Sequence, residues 1–448
     1  MIVINAIMVV AHLVLVFWIM HRMRAYTVLC GYVMFLQTWS LVSCFYNDLG
    51  IYNFELFSYT ETTLATCRLA LFYIVFNLGF FLVAAYLVRR PLARRDYFVG
   101  TRDLRLGNLK VTAYFLGLVL LGYIAYSFSV SGIPIFEGIQ RIMFIRSTGP
   151  VQRFLFNDGA YIAFALGYFR HLRGKFSVNG ILLTLMLLNL VLTGNKFSAL
   201  IRLLVAYYTA VFVKSWIANP SMKIWRMRYL VIGVVVVTVL LAGAFASYSI
   251  MPSGQDAGKF LFERVMALQG HLWWASDNAL FALGRFDSNH WQAEWAAIVH
   301  LGDVPEGSVG MKYVMVQAIG ADRAFTIFDT GFRYTMAYPA ILVLTFPYPV
   351  ALILQLMAGG LLGLLLYYLH YSLVYRHFVR ALLALNIILR FVEGILSTGD
   401  LFVFLSPGIA FKLLLLAILE LGILRYAPKS DPSSEAGTPL DETAAATS

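Results

Sequence analysis

The chain is short of charge, of cysteine and of nucleotide-binding motifs, and each shortage excludes something. Only 13% of its 448 residues are Asp, Glu, Lys or Arg, while 60% are hydrophobic. Soluble domains carry roughly a quarter charged residues, so a string of water-soluble domains is excluded. The three cysteines have no metal-ligand spacing and are too few for a disulfide framework. Cys44 and Cys67 bracket a short loop, which leaves room for one bridge, although free thiols are common in apolar helices. There is no P-loop, no Rossmann glycine pattern, no zinc signature and no internal repeat, so an ATP-driven machine is not expected.

What is present is a series of apolar runs, each near the length that crosses a bilayer, with a mean hydropathy of +0.76 over the chain. The first run, Ile2 to Met20, has no basic residues before it and no A-x-A-like site, and His21-Arg22-Met23-Arg24 follow it. It reads as a retained helix whose N-terminus lies outside. Arg89, Arg90, Arg94, Arg95, Arg102, Arg105 and Lys110 come directly after the third run and mark the inside. Following the basic loops gives an all-α polytopic transmembrane helical bundle of about 11 spans, with the C-terminus inside. Residues 1–250 then hold helices one to eight with short loops, and 336–426 hold helices nine to eleven. Residues 427–448 form a disordered cytoplasmic tail. The net charge of +11 sits mostly in the inner loops, so it points to membrane lipids and not to nucleic acid.

Residues 251–335 interrupt the apolar rhythm and read as a large outer loop of helical character. The stretch Met251 to Phe332 contains His271, His290 and His300, nine acidic residues and four of the eight tryptophans. Trp291 and Trp295 share a helical face four residues apart, which suits an interfacial belt. Trp273 and Trp274, next to His271, suit glycan stacking.

Charges that break the topological rule stand out. Arg141, Arg146 and Arg153 fall in an outer loop, Lys196 and Arg202 at or just within outer helix ends, and Arg390 within a span. Glu393 and Asp400 flank Gly394 and Gly399 near another outer end. Charges at membrane depth are costly unless paired or hydrated, which makes them functional candidates. Outward Arg and Lys beside the headgroup layer fit a lipid-linked phosphate or pyrophosphate. Headgroup anchoring and internal ion pairs are the competing explanations.

The run Gly132-Ile133-Pro134-Ile135-Phe136, followed by Arg141, resembles the outer-loop pattern of Wzy-type O-antigen and capsule repeat-unit polymerases. Thr193-Gly194-Asn195-Lys196-Phe197-Ser198-Ala199-Leu200 resembles their short basic turn, and Glu393-Gly394 leading through Thr398-Gly399-Asp400 fits the same family. The resemblance extends to the layout, including the large late outer loop, 251–335, which it implies is a large helical periplasmic loop. It implies a GT-C-like helical membrane glycosyltransferase, related in architecture to the O-antigen ligases. Such an enzyme acts at the periplasmic face of the bacterial inner membrane on undecaprenyl-pyrophosphate-linked oligosaccharides. It uses no cofactor and no metal, and a chain-length regulator in the membrane is a partner it can take. On that reading Arg141, Arg146, Lys196 and Arg264 hold the pyrophosphate leaving group. His271, His300, Asp303 and Glu393 are eligible as the base for the acceptor hydroxyl, and Trp273 and Trp274 line the glycan path. An O-antigen ligase and a transporter or flippase of the lipid-linked unit are the alternatives. The transporter is disfavoured by the scarcity of polar residues along most spans and by the lack of paired repeats.

Overall fold

The computed structural model describes residues 1–53, 56, 58–89, 106–137, 144, 150–170, 177–193, 197–218, 257–281, 290–299, 305–329, 334, 336, 338–375, 377–399 and 406–426. The N-terminal part runs through α1 (Ile2–Arg22), α2 (Thr27–Asn47), a hairpin of β1 (Tyr52–Asn53) and β2 (Ser58–Tyr59), α3 (Ala65–Arg89) and α4 (Leu106–Ser131). A single turn, α5 (Pro134–Glu137), precedes α6 (Pro150–Phe169), α7 (Val178–Leu192) and α8 (Phe197–Ala218). Five short helices follow: α9 (Ala257–Met266), α10 (His271–Phe281), α11 (His290–Val299), α12 (Gly310–Ile319) and α13 (Ala321–Asp329). The order ends with α14 (Ala340–Thr345), α15 (Tyr348–Val374), α16 (Phe378–Arg390), a π-helical turn (Phe391–Ser397) and α17 (Pro407–Tyr426). Among the described residues the one sheet is the antiparallel β1–β2 pair, with Tyr52 opposite Tyr59.

The protein is therefore mostly helical, and long apolar helices make it a membrane protein. Among the described residues six helices are long and apolar enough to cross a bilayer: Ile2–Arg22, Val28–Asn47, Ala65–Leu87, Lys110–Glu137, Ala199–Trp216 and Tyr348–Val374. Gly159–Phe169 and Val178–Leu192 are apolar but shorter. The span expected over Tyr229 to Ile250 lies outside the described residues. The expected tenth span, Ala381 to Leu396, is α16 running into the π-helical turn. The span expected from Leu401 to Leu424 begins later as a helix, at Pro407, and carries Lys412 and Glu420.

Side-chain size decides how the helices meet. α3 and α15 form the most extensive helix pair, backed by α1. A Cβ on Gly359 would lie 1.9 Å from the Phe76 carbonyl oxygen, one on Gly79 2.2 Å from that of Leu356, and one on Gly363 2.8 Å from that of Phe80. Backbone thus rests directly on backbone, the close approach that small residues permit between membrane helices. α6 and α8 repeat the device, since a Cβ on Gly167 would meet the Tyr207 carbonyl oxygen at 2.3 Å. α4 and α7 pack on α6, while α8 touches α2 and α15 and so joins the two groups. The outer faces remain apolar: Val3, Ile7, Val10, Val14 and Phe17 on α1, and Val111, Phe115, Leu118 and Val119 on α4, are exposed. Such faces suit lipid.

Helices α9 to α14 make a cap over the junction of α2 and α3. Its centre is α14, every residue of which is buried; α10, α11 and α12 enclose it. Glu294 on α11 accepts the Gly310 amide at 2.5 Å and so caps α12. The same carboxylate lies 3.0 Å from Nε2 of His290, whose ring stacks on Tyr313 with centroids 3.5 Å apart. All three cysteines are free thiols, so no Cys44–Cys67 bridge forms.

Candidate functional site

Two polar constellations stand out, one where α8 meets the π-helical turn and one where the cap meets α2 and α3. The first is set up by the end of α16. The Thr398 amide donates to the Glu393 carbonyl at 3.0 Å, a five-residue reach that defines the wider turn, and the Thr398 hydroxyl donates to the Gly394 carbonyl at 2.7 Å. Gly399, at φ +75°, then takes the chain out of the helix. Such turns offset the side chains that follow and are frequent at functional sites.

Glu393 leaves this turn toward α8, where Nη1 of Arg202 donates to both of its carboxylate oxygens at 2.9 Å. The Arg202 side chain is 9% exposed and that of Glu393 32%. The guanidinium is thus held within the helical body while the carboxylate is partly exposed. Arg202 is the sixth residue of α8, which begins at Phe197 inside the basic-turn stretch Thr193–Leu200. α5, at the Gly132–Phe136 stretch, packs against α7, the helix that leads into that same turn. Two elements far apart in sequence, α8 and the π-helical turn, are thus joined by this pair. A second ion pair, Arg380 to Glu420 at 3.1 Å, ties α16 to α17, and the Tyr368 hydroxyl adds a 2.6 Å bond from α15.

The second constellation centres on Asp48. Its buried carboxylate accepts from Asn5 Nδ2 at 2.9 Å, the Thr63 amide and hydroxyl at 3.1 and 2.7 Å, and the Thr66 amide and hydroxyl at 3.0 and 2.6 Å. Trp274 Nε1 supplies a sixth donor at 3.2 Å. Nearby, Arg68 grips Asp277 with two bonds of 2.6 and 2.5 Å and lies 4.2 Å from the centroid of the Phe281 ring. Burial raises the Asp277 carboxyl above its ordinary pKa, and the Arg68 guanidinium offsets part of that rise. The turn before α10 docks on bare backbone, because a Cβ on Gly270 would fall 2.2 Å from the Cys44 nitrogen. Trp39 Nε1 donates to Val265 at 2.7 Å, Ser40 to Gln269 at 2.9 Å, and Gly270 to the Ser43 hydroxyl at 2.8 Å.

The residues singled out in the sequence fall into three groups. Glu393 lies at the first constellation, on Arg202. His271, Trp273 and Trp274 lie on α10 at the second, and all three are buried because α10 is enclosed almost all round. Trp273 Nε1 donates to the Ala65 carbonyl at 2.8 Å. Nδ1 of His271 faces the Leu268 carbonyl, and its ring stands edge-on to Tyr334 with centroids 4.6 Å apart. The packing gives these three side chains a part in docking the cap. Arg141, Arg146, Lys196, His300 and Asp303 lie outside the described residues, as does the side chain of Arg264, whose backbone is in α9. Trp291 and Trp295 are exposed side by side on α11.

Sequence reasoning flagged Arg202 as a charge out of place without giving it a role, and it passed over Asp48, Arg68 and Asp277. The available signal for Asp48 was an Asn-Asp pair closing an apolar run, which reads equally as an ordinary loop. Among the described residues no group of three or more His, Cys, Asp or Glu could hold a metal ion.

Residues 304–413 match a family described as a family of unknown function, DUF6418. The match covers about a quarter of the chain, from just before α12 into α17, and includes Glu393 but not Arg202. No curated protein and no solved structure matches the chain.

Proposed function

We propose that the protein polymerises undecaprenyl-pyrophosphate-linked oligosaccharide repeat units of an O-antigen or capsule at the periplasmic face of a bacterial inner membrane. The reading is supported above all by the Arg202–Glu393 pair, in which Glu393, from one stretch that carries the resemblance, meets Arg202, two residues beyond the other, across 191 residues of sequence. In the reaction the bond between the growing glycan's anomeric carbon and its pyrophosphate oxygen breaks. A hydroxyl of the incoming unit forms the new glycosidic bond and gives up its proton. Glu393, partly exposed and with its charge balanced by Arg202, is the base we favour for that proton. His300 and Asp303 stay eligible, while His271 would have to leave its buried site to serve. Undecaprenyl pyrophosphate departs with growing negative charge, which Arg141, Arg146, Lys196 and Arg264 would stabilise. A membrane chain-length regulator is the partner this activity would call for.

A transporter or flippase of the same lipid-linked unit is the second reading. It gains weight from buried polar side chains within the spans, His12, Gln37, Asn77 and Gln355. The deciding experiment is the surface-glycan profile of cells from which the protein has been removed. A glycan of a single repeat unit is the outcome expected of a lost polymerase. Repeat units trapped on the inner face would overturn the proposal in favour of the flippase, and a retained lipid-linked polymer without surface glycan in favour of a ligase.

A further inference from the structure

The first three helices and α15 bury polar side-chain atoms that reach no protein partner. Gln37 on α2 and Asn77 on α3 are 2% and 1% exposed, and neither the oxygen nor the nitrogen of either amide meets a hydrogen-bonding group. Nδ1 of His12 on α1 and the amide nitrogen of Gln355 on α15 are buried in the same condition. The Tyr73 hydroxyl lies beside the Ser40 hydroxyl, which itself donates to the Gln269 carbonyl at 2.9 Å.

These groups share one layer. α2 and α3 run antiparallel, and the approach of Ser40 to Tyr73 sets their register. Gln37 is one turn from Ser40 toward the start of α2, and Asn77 one turn from Tyr73 toward the end of α3. Those directions coincide, so the two amides come to the same level. His12 joins them, with Nε2 3.3 Å from the Thr38 hydroxyl and its ring 5.9 Å from that of Tyr73. The Tyr338 hydroxyl donates to the Gln355 oxygen on α15 and leaves the Gln355 nitrogen over.

Buried donors and acceptors without partners are costly, most of all between membrane helices. The chemistry of the set says what would satisfy it. A metal cation would serve the two amide oxygens and leave three N–H groups unmet, and an anion would do the reverse. Water donates and accepts, and typically makes about three hydrogen bonds to buried polar groups. We propose that this seam binds a file of water molecules inside the helical body. The file lies among α1, α2 and α3, between His12, Gln37 and Asn77 and next to the Ser40–Tyr73 contact. The proposal does not depend on the glycosyltransferase reading.

Radiolytic footprinting of the full-length protein in lipid nanodiscs tests it, because bound waters generate hydroxyl radicals where they sit. Tyr73 and Tyr338 should be oxidised several-fold faster than Phe76 and Phe80, which are equally buried on α3. A protein carrying both Gln37→Leu and Asn77→Leu should lose most of the oxidation at Tyr73 while α8 and α15 keep their wild-type pattern. Equal oxidation of Tyr73 and Phe76 in the wild-type protein would overturn the proposal. So would unchanged Tyr73 oxidation in the double variant.

Discussion

Arg202 and Glu393 depend on each other unequally. Removing the guanidinium strands a half-buried carboxylate, whereas Glu393→Gln keeps the shape and removes only the base. Glu393→Gln should therefore leave the protein folded and reduce chain growth about 10²–10⁴-fold, the usual worth of a positioned base. The glycan ladder at matched membrane abundance reads this out, and a wild-type ladder would sink the role given to Glu393. Arg202→Ala should instead lower abundance, since breaking a buried pair costs about 3–5 kcal/mol. For the leaving group, Arg141→Ala and Arg146→Ala should each slow polymerisation by about 10²–10³-fold, with Lys recovering only part. Normal ladders from both alanine variants would leave them as headgroup anchors. The Asp277 carboxyl gives a pH prediction. Its folded pKa lies above the ordinary value, so the folded state binds the extra proton, and stability falls as pH rises from the ordinary carboxylate range through the raised value. Arg68→Met should widen that window and Asp277→Asn abolish it, as thermal unfolding in detergent across acidic pH would show. At this scale the sequence revealed which charges were out of place, but not their partners. Nothing local announces a bond between positions 202 and 393, or between 68 and 277.

Among the elements, the glycine contacts make the sharpest claims. Gly359→Ala forces a methyl group against the Phe76 carbonyl, so α15 must lift from α3, at a cost of about 1–3 kcal/mol. Gly408→Ala on α17 meets nothing within 4 Å and should be neutral. Equal melting temperatures for the two variants would show that the helices are not in backbone contact. Gly270→Ala should act on the cap alone, raising amide hydrogen exchange over α9 and α10 while α3 and α15 keep theirs. Helix limits were largely legible: apolar runs placed α1 to α4 within a few residues, because length and hydropathy are local properties. The π-helical turn was not, as Phe391-Val392-Glu393-Gly394 continues the α-helical pattern without a break. Nor was the burial of α10, since a Trp-Trp pair beside a histidine looks the same in a binding loop and in a core. That difference is made by α2, α3, α12 and α14, which arrive from distant parts of the chain.

For the molecule as a whole, the proposed orientation puts the cap outside. A cysteine replacing Ser308 should react with an impermeant thiol reagent on intact cells, and one replacing Thr101 only after lysis. Labelling at Thr101 from outside would reverse the topology and with it the face on which any chemistry occurs. The membrane class was legible because composition is a global property, whereas the span count was not, since short and charged helices blur the criterion. The α3–α15 contact has a further consequence, for biosynthesis. Residue 79 leaves the ribosome long before residue 359, a delay on the order of tens of seconds at ordinary elongation rates. Throughout that interval α3 lies in the bilayer with its bare backbone groove against lipid tails or against a temporary companion. The groove must therefore stay free of other helices until the last third of the chain is made. Any segment that filled the groove early would lock α15 out.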